Sequence, residues 1–309
     1  MRVLVTGCAG FIGFHLTERL LAEGHEVVGL DNLSTGSRRN LTDLAAHPRF
    51  TFVEHDITLP PPVAGGFDLI CNLACPASPV DFASRALAIL AACSEGLRQM
   101  LELAAACGAR LLHASTSEVY GDPKEHPQKE SYWGNVNPIG PRSCYDEGKR
   151  FAEALAAAYR DRRGVRTRIA RIFNTYGPRM RADDGRVLPA FINQALRGKP
   201  LTVHGDGGQT RSFCYVTDLV DGLLRLAASD LSEPVNLGDP EDITIRQAAE
   251  EVLRLTGSSS SISFVPRPPD DPCIRRPDIT RAQKHLGWKP QVPRAEGFRR
   301  TIEWFRSLM

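Results

Sequence analysis

The segment VLVTGCAGFIGFHL sets three glycines, Gly7, Gly10 and Gly13, between a short apolar run and an amphipathic one. Glycine at this spacing permits a tight turn out of a strand, close approach of backbone to a pyrophosphate, and tight helix–strand packing. The first amides of the following helix then face the phosphates. A glycine triplet alone is a weak signal. Here it follows the first strand, and an acidic residue, Asp31 in VVGLDN, ends the second, which makes the pattern strong. Asp31 can bond adenosine ribose hydroxyls and repels an added phosphate, favouring NAD over NADP. Arg38 and Arg39 nearby pull the other way. Asp56 in EHDI reads either as a neighbour of the adenine or as a turn carboxylate.

Strand and helix signals alternate through the first half. Apolar runs at 3–5, 26–30, Phe50–Glu54, 69–71, 111–114 and 167–172 read as buried strands, while Phe11–Ala22, 87–107 and 145–160 carry helical spacing. Such alternation predicts an α/β chain with a parallel, doubly wound sheet. After residue 173 Pro and Gly become frequent, and TYGPRM and HGDGGQT read as loops. The expectation is a cofactor domain over 1–172, joined by about 213–237, with a smaller lobe of 173–212 and 238–309 that closes over a ligand. No internal repeat is visible, and the serines at 258–261 read as a surface turn.

Composition narrows the partners. With 309 residues the chain has ample material for a core, and 42% hydrophobic and 24% charged residues are ordinary for a globular protein. A formal net charge of +2 gives no reason to expect nucleic acid or an anionic membrane surface. The eight cysteines include no CxxC pair, and Cys71 and Cys75 lack matching histidines, so no metal site is expected. Reduced cysteines packed as small hydrophobes imply a cytosolic home. The opening MRVLVTGCAGFIG runs straight into strand and turn rather than a signal peptide, and no stretch reaches the ~18–20 apolar residues of a membrane helix.

Tyr145 and Lys149 in SCYDEGKR stand four residues apart, on one face of a predicted helix. Hydride removal from an alcohol requires a base for the hydroxyl proton, and a phenol of pKa ~10 is a poor one at neutral pH. An adjacent ammonium and a positive nicotinamide ring are expected to lower it. Thr116, in ASTSEVYGD, can hold a substrate hydroxyl against Tyr145. A Tyr and Lys at this spacing are common on helix surfaces. Combined with the glycine turn and Thr116 in strand order, they read as catalytic.

TGxxGxxG, STSEVYGD and YxxxK in this order resemble the extended short-chain dehydrogenase/reductases acting on sugar nucleotides. NLACPASP, YWGNVNPIGPRSCYDEGKR, RIFNTYGPRM, GDGGQTRSFCYVTDLVDG and RRPDITRAQKHLGW are similar, across nearly the whole chain, to the UDP-glucuronate decarboxylases, or UDP-xylose synthases. The resemblance implies a Rossmann-type fold with a smaller C-terminal substrate lobe, a cytoplasmic homodimer, and tightly bound NAD. It implies oxidation at the sugar's 4-position, loss of carbon dioxide from the resulting β-keto acid, and return of the hydride to give UDP-xylose. Tyr145 would be the acid/base, Lys149 its electrostatic partner and Thr116 its positioner. Ser117 and Glu118 replace the Asp–Glu pair of related 4,6-dehydratases, with Glu118 handling water or the sugar ring. Arg275 would anchor the substrate carboxylate, unless it is a surface residue of a basic loop. The implied cofactor site adds Phe11, Ile12, Asn32, Ile57, Leu73 and Ala74. The implied substrate site takes Pro76, Ser78, Asn174, Val187, Arg211 and Arg179, the last with a loop cap as its other reading.

One stretch departs from the family pattern. A Lys-Thr-Asn run usually follows CPASP on the next helix, and Ala91-Ala92-Cys93 stands there instead. A weaker hold on the substrate is expected to favour release of the 4-keto pentose before the hydride returns, and a looser support for Tyr145 and Lys149. His204 stands where a tyrosine is common, and Phe14 replaces a small serine as a packing change. The rival readings are a 4-epimerase or 4,6-dehydratase and, from another class, an NAD-binding regulator without turnover. The dehydratase should carry Asp at Ser117, the epimerase has no evident need for Glu118 or Arg275, and the regulator has no use for the Tyr145/Lys149 pair.

Overall fold

In the computed structural model, which describes residues 1–63, 65–268, 270, 272 and 274–309, the chain builds one large parallel sheet and several short ones. Cys273 lies outside the described residues. The first six strands are β1 (Arg2–Thr6), β2 (Glu26–Asp31), β3 (Phe50–Glu54), β4 (Leu69–Asn72), β5 (Arg110–Thr116) and β6 (Arg166–Ile172). A seventh, Val235–Leu237, pairs with β6, and the spatial order is Val235–Leu237, β6, β5, β4, β1, β2, β3. The chain therefore winds outward from β1 through β2 and β3, then returns to start again at β4. The order reverses between β1 and β4, opening a crevice at the carboxyl ends of the strands, where α/β folds bind ligands.

Period-two alternation explains why both faces are covered. Val3 and Val5 of β1 join one core cluster with Leu16 and Leu20, whereas Leu4 joins the opposite cluster with Ile70, Leu97 and Met100. Helices α1 (Phe11–Ala22) and α2 (Arg38–Ala45) follow β1 and β2. On the other face lie α3 (Phe82–Ala91), α4 (Leu97–Cys107) and α5 (Ser143–Arg163).

The single helix expected over 87–107 is a correction. It begins earlier, at Phe82, and is broken by a π-helical turn, Ala92–Gly96. At this break a Cβ on Gly96 would meet Ile57, and one on Gly148 of α5 would lie 3.2 Å from the Cys93 sulfur. The extra residue of the π-turn lets Cys93 press against α5 where only glycine leaves room. The helix expected over 145–160 also extends at both ends, to Ser143 and Arg163.

Beyond β6 the chain forms α6 (Val187–Leu196), α7 (Val216–Ala228) and α8 (Ile245–Thr256), the last opened by a Thr244/Gln247 capping box. Thr210–Ser212 pairs antiparallel with Asp242–Thr244 and parallel with Ile274–Arg275, in a register that sets Arg275 opposite Arg211. Among the described residues no helix is long and apolar enough to cross a membrane.

Asn236 ties the last sheet strand to three loops. Its fully buried amide accepts from the Tyr120 hydroxyl at 2.8 Å and donates to the carbonyls of Gln128 at 2.9 Å and Asp278 at 3.1 Å. Asn236→Ala leaves these groups unpaired and should lower stability by about 2–4 kcal/mol. An unchanged urea midpoint at equal m-value would contradict this.

Candidate active site

The glycine turn leaves β1 at Gly7, whose φ of +73° lies in the left-handed region. A Cβ on Gly13 would strike the Gly7 carbonyl, so the turn and helix close only with glycine there. Gly10 caps α1 without a side-chain acceptor, and the amides of Phe11 and Ile12 begin the helix at the wall of a cavity of about 630 Å³. A second cavity of about 330 Å³ shares Gly7, Gly10 and Leu73 with it and continues past Asp31, Asn32, Asp56, Ile57 and Ala74. Asp31 is buried at the end of β2 and accepts the amides of Ala9 at 3.0 Å and Leu33 at 2.8 Å. Burial pushes its carboxyl upward and the two amides pull it back. Asp56 accepts the amide and hydroxyl of Thr58 in a turn, bonds Asn32 at 3.0 Å, and borders the smaller cavity.

The two arginines that favoured NADP are engaged elsewhere. Arg38 reaches Glu54 at 3.4 Å, and the Arg39 guanidinium lies 4.7 Å from the Trp304 ring centre. With a carboxylate at the strand end and uncapped amides at the helix start, the cradle fits a dinucleotide without a 2′-phosphate. Thr6 secures the crevice: its hydroxyl donates to Asn72 at 2.8 Å and accepts the amides of Leu73 and Ala74, both at 3.1 Å.

Tyr145 and Lys149 occupy the first turns of α5, and both are buried against the larger cavity. The Lys149 ammonium donates to the Ala114 carbonyl of β5 at 2.7 Å and lies 5.8 Å from the centre of the Tyr145 ring. Phe82 stacks on that ring at 5.1 Å, and Thr116 borders the same cavity. Lys149 pulls the phenol down, in the sense expected. Burial pushes Tyr145 up to about 12, outweighing the downward pull of Lys149 and Thr116. A further positive charge over the phenol would act in the same sense as Lys149.

Beside this pair stands an ionic cluster only half foreseen. Arg275 grips Glu118 with both terminal nitrogens, at 2.5 and 2.7 Å, across 157 residues of sequence. Arg142 adds a third contact to Glu118 at 2.9 Å. Burial raises the Glu118 carboxyl, but Arg275 and Arg142 overcome it and hold the group near about 2. Desolvation and the Glu118 charge push Asp146, one turn from Arg142, up to about 7. Arg275 is buried and is no surface residue. Sequence reading overlooked Arg142, although its position three residues before Tyr145 puts both on one helical face.

The six expected catalytic residues, Tyr145, Lys149, Thr116, Ser117, Glu118 and Arg275, all border the larger cavity. So do Ser78, Asn174, Val187 and Arg211; the Ser78 hydroxyl donates to the Asp184 carbonyl, and Arg211 is buried. Pro76, expected at the substrate, instead borders the smaller cavity beside the cofactor cradle. Arg179 borders the larger cavity but is committed to an ion pair with Asp43 and to a stack, 4.4 Å from Phe14 and 4.6 Å from Trp304. Phe14 thus supports that arginine as well as filling space. Ala91 borders the smaller cavity, and Cys93 is buried against α5. Among the described residues no group of three or more His, Cys, Asp or Glu could hold a metal ion.

Relatives match nearly the whole chain. A UDP-glucuronic acid decarboxylase of Xenopus tropicalis is 52% identical over 306 residues, covering 99% of this chain and 72% of the relative. Another, from Arabidopsis thaliana, is 53% identical over 307 residues, covering 99% and 89%. A solved UDP-glucuronic acid 4-epimerase from Bacillus cereus, in complex with UDP-glucuronic acid and NAD, superposes with a TM-score of 0.89 at 28% identity over 100% of both chains. The model of the NAD dependent epimerase/dehydratase family matches residues 3–238, and the chain belongs to that family, with NAD as its cofactor.

Proposed function

We propose that the chain decarboxylates UDP-glucuronate through a 4-keto intermediate to UDP-xylose. The observation that carries this reading is the Glu118–Arg275–Arg142 cluster one helical turn from Tyr145. Two guanidinium groups face one firmly ionised carboxylate, while burial and Glu118 push the fourth member, Asp146, well above the usual carboxylate range. A surplus of positive charge therefore borders the cavity, suited to a sugar acid rather than a neutral hydroxymethyl group. The relatives named UDP-glucuronic acid decarboxylase support the same substrate.

NAD, when bound, supplies a hydride acceptor for carbon 4 and returns the hydride at the end. Tyr145 takes the 4-hydroxyl proton, with Thr116 orienting the oxygen and Lys149 stabilising the phenolate. The 4-ketone leaves the carboxylate β to a carbonyl, from which carbon dioxide departs readily. Arg275 and Arg142 hold the acid until then, and Glu118, clamped between them, fixes their guanidinium planes and guides water to the reprotonated carbon. Arg211, Asn174 and the amide end of α6 at Val187 receive the nucleotide diphosphate. We divide the chain into a cofactor lobe of 1–172 with about 213–237 and a substrate lobe of the rest, a reading supported by Val235–Leu237 joining the large sheet. A reducing cytoplasmic compartment suits eight cysteines without a CxxC pair.

NMR of the enzyme with UDP-glucuronate should show UDP-xylose without added reductant, and release of some UDP-4-keto-pentose with matching NADH if Ala91 and Cys93 weaken the grip. Accumulation of UDP-galacturonate, or an unchanged substrate, would overturn the assignment. Tyr145→Phe should cut kcat by about 10²–10⁴-fold while NAD remains bound; full turnover in that variant would remove Tyr145 from the acid/base role.

A homodimer is also proposed. Leu87 and Leu90 of α3 and Phe151 of α5 are exposed at 82%, 40% and 52% on helices that pack together. Light scattering should give twice the chain mass for the native protein and one chain mass for Leu87→Asp. A native monomer at micromolar concentration would refute the proposal.

A further inference from the structure

Two cysteines meet beside the catalytic helix. Cys75 follows β4 in the NLACPASP loop and borders both cavities, so small molecules can reach it from the crevice. Cys93 sits in the π-helical turn, almost fully buried. Their sulfurs are 3.7 Å apart. A disulfide needs a separation of about 2.05 Å, so closure requires only about 1.7 Å of approach. Both sulfurs lie on joints, one in a loop and one where the helical ladder is already interrupted, and neither joint resists such a shift as a strand interior would. Cys93 also touches Gly148, the residue before Lys149.

We propose that Cys75 and Cys93 are an oxidisable pair whose disulfide slows turnover by displacing the base of Lys149. The oxidant is a peroxide. The Cys75 thiolate attacks one peroxide oxygen, the O–O bond breaks, and the departing hydroxide leaves as water with the Cys93 proton. The Cys93 sulfur then displaces hydroxide from the Cys75 sulfenic acid, and that hydroxide leaves as water with the proton Cys75 first gave up. Two thiols are oxidised to one disulfide and one peroxide is reduced to two waters. Electrostatics oppose the first step and favour the second. The Cys93 bond and burial raise the Cys75 thiol against the pull of Lys149, so the peroxide must capture a minor thiolate fraction. The hydrogen bond from Cys75 lowers the Cys93 thiol, and the Lys149 ammonium adds to that pull. The consequence for turnover follows from contact. Drawing Cys93 toward the loop removes the sulfur from Gly148, and an ångström of misplacement at a catalytic group is enough to cost up to about a hundredfold.

The test treats the NAD-bound enzyme with hydrogen peroxide, blocks remaining thiols by alkylation, and digests without reductant. A peptide pair joined at Cys75 and Cys93, a mass loss of two hydrogens per chain, and a fall in turnover of about tenfold or more that dithiothreitol reverses are expected. Cys75→Ser, Cys93→Ser and Cys93→Ala should each lack the joined peptides and keep, after peroxide, the activity measured for that same variant before it. Absence of the joined peptides while other cysteines are modified would overturn the proposal, as would a complete crosslink that leaves turnover unchanged. The joined peptides are read by mass alone, so an error in the substrate assignment cannot imitate their absence.

Discussion

The reversal of strand order between β1 and β4 is the constraint on which the site depends, because it opens a crevice at the carboxyl end of a covered sheet where a ligand can enter. Thr6 holds that edge together by bonding Asn72 across the strand pair and receiving the amides of Leu73 and Ala74. Asn72 in turn meets His113 at 3.3 Å, which extends the tie to β5. The cofactor cradle, the loop bearing Cys75, and the strand that ends in Thr116 all leave from these few residues. A shift there would move every partner of the reaction at once.

Electrostatics inside the crevice follow from burial more than from pairing alone. The phenol of Tyr145 is pushed up by desolvation despite its neighbouring ammonium. Glu118 shows the opposite balance. It is as deeply placed, yet two guanidinium groups keep it ionised, and its charge adds to burial in lifting Asp146. The same depth that makes these groups effective also shelters the Cys75–Cys93 pair beside Lys149. Chemistry and its vulnerability to oxidation share one low-dielectric region.

Much of this was legible in the primary structure because the signals are local. The glycine turn needs residues within one loop and one helix start, the Asp31 carboxylate follows one strand later, and Tyr145 and Lys149 share a face through helical periodicity alone. Strand–helix alternation likewise requires only short-range patterning, and it led to the doubly wound sheet. The broken helix at Ala92–Gly96 was not legible, because apolar spacing continues through it and the glycine it packs against, Gly148, comes from another helix.

Residue order thus determined which groups this chain can bring to a sugar nucleotide: a phosphate cradle, a ribose carboxylate, a phenol–ammonium pair. Folding decided how they act. Only strand register sets Arg275 opposite Arg211, and only tertiary packing joins Arg275 to Glu118 over 157 residues of chain, with Arg142 as third partner. The physical reason is that spacing encodes which side chains share a face, whereas charge balance and proton affinity depend on desolvation and on neighbours that arrive from distant elements.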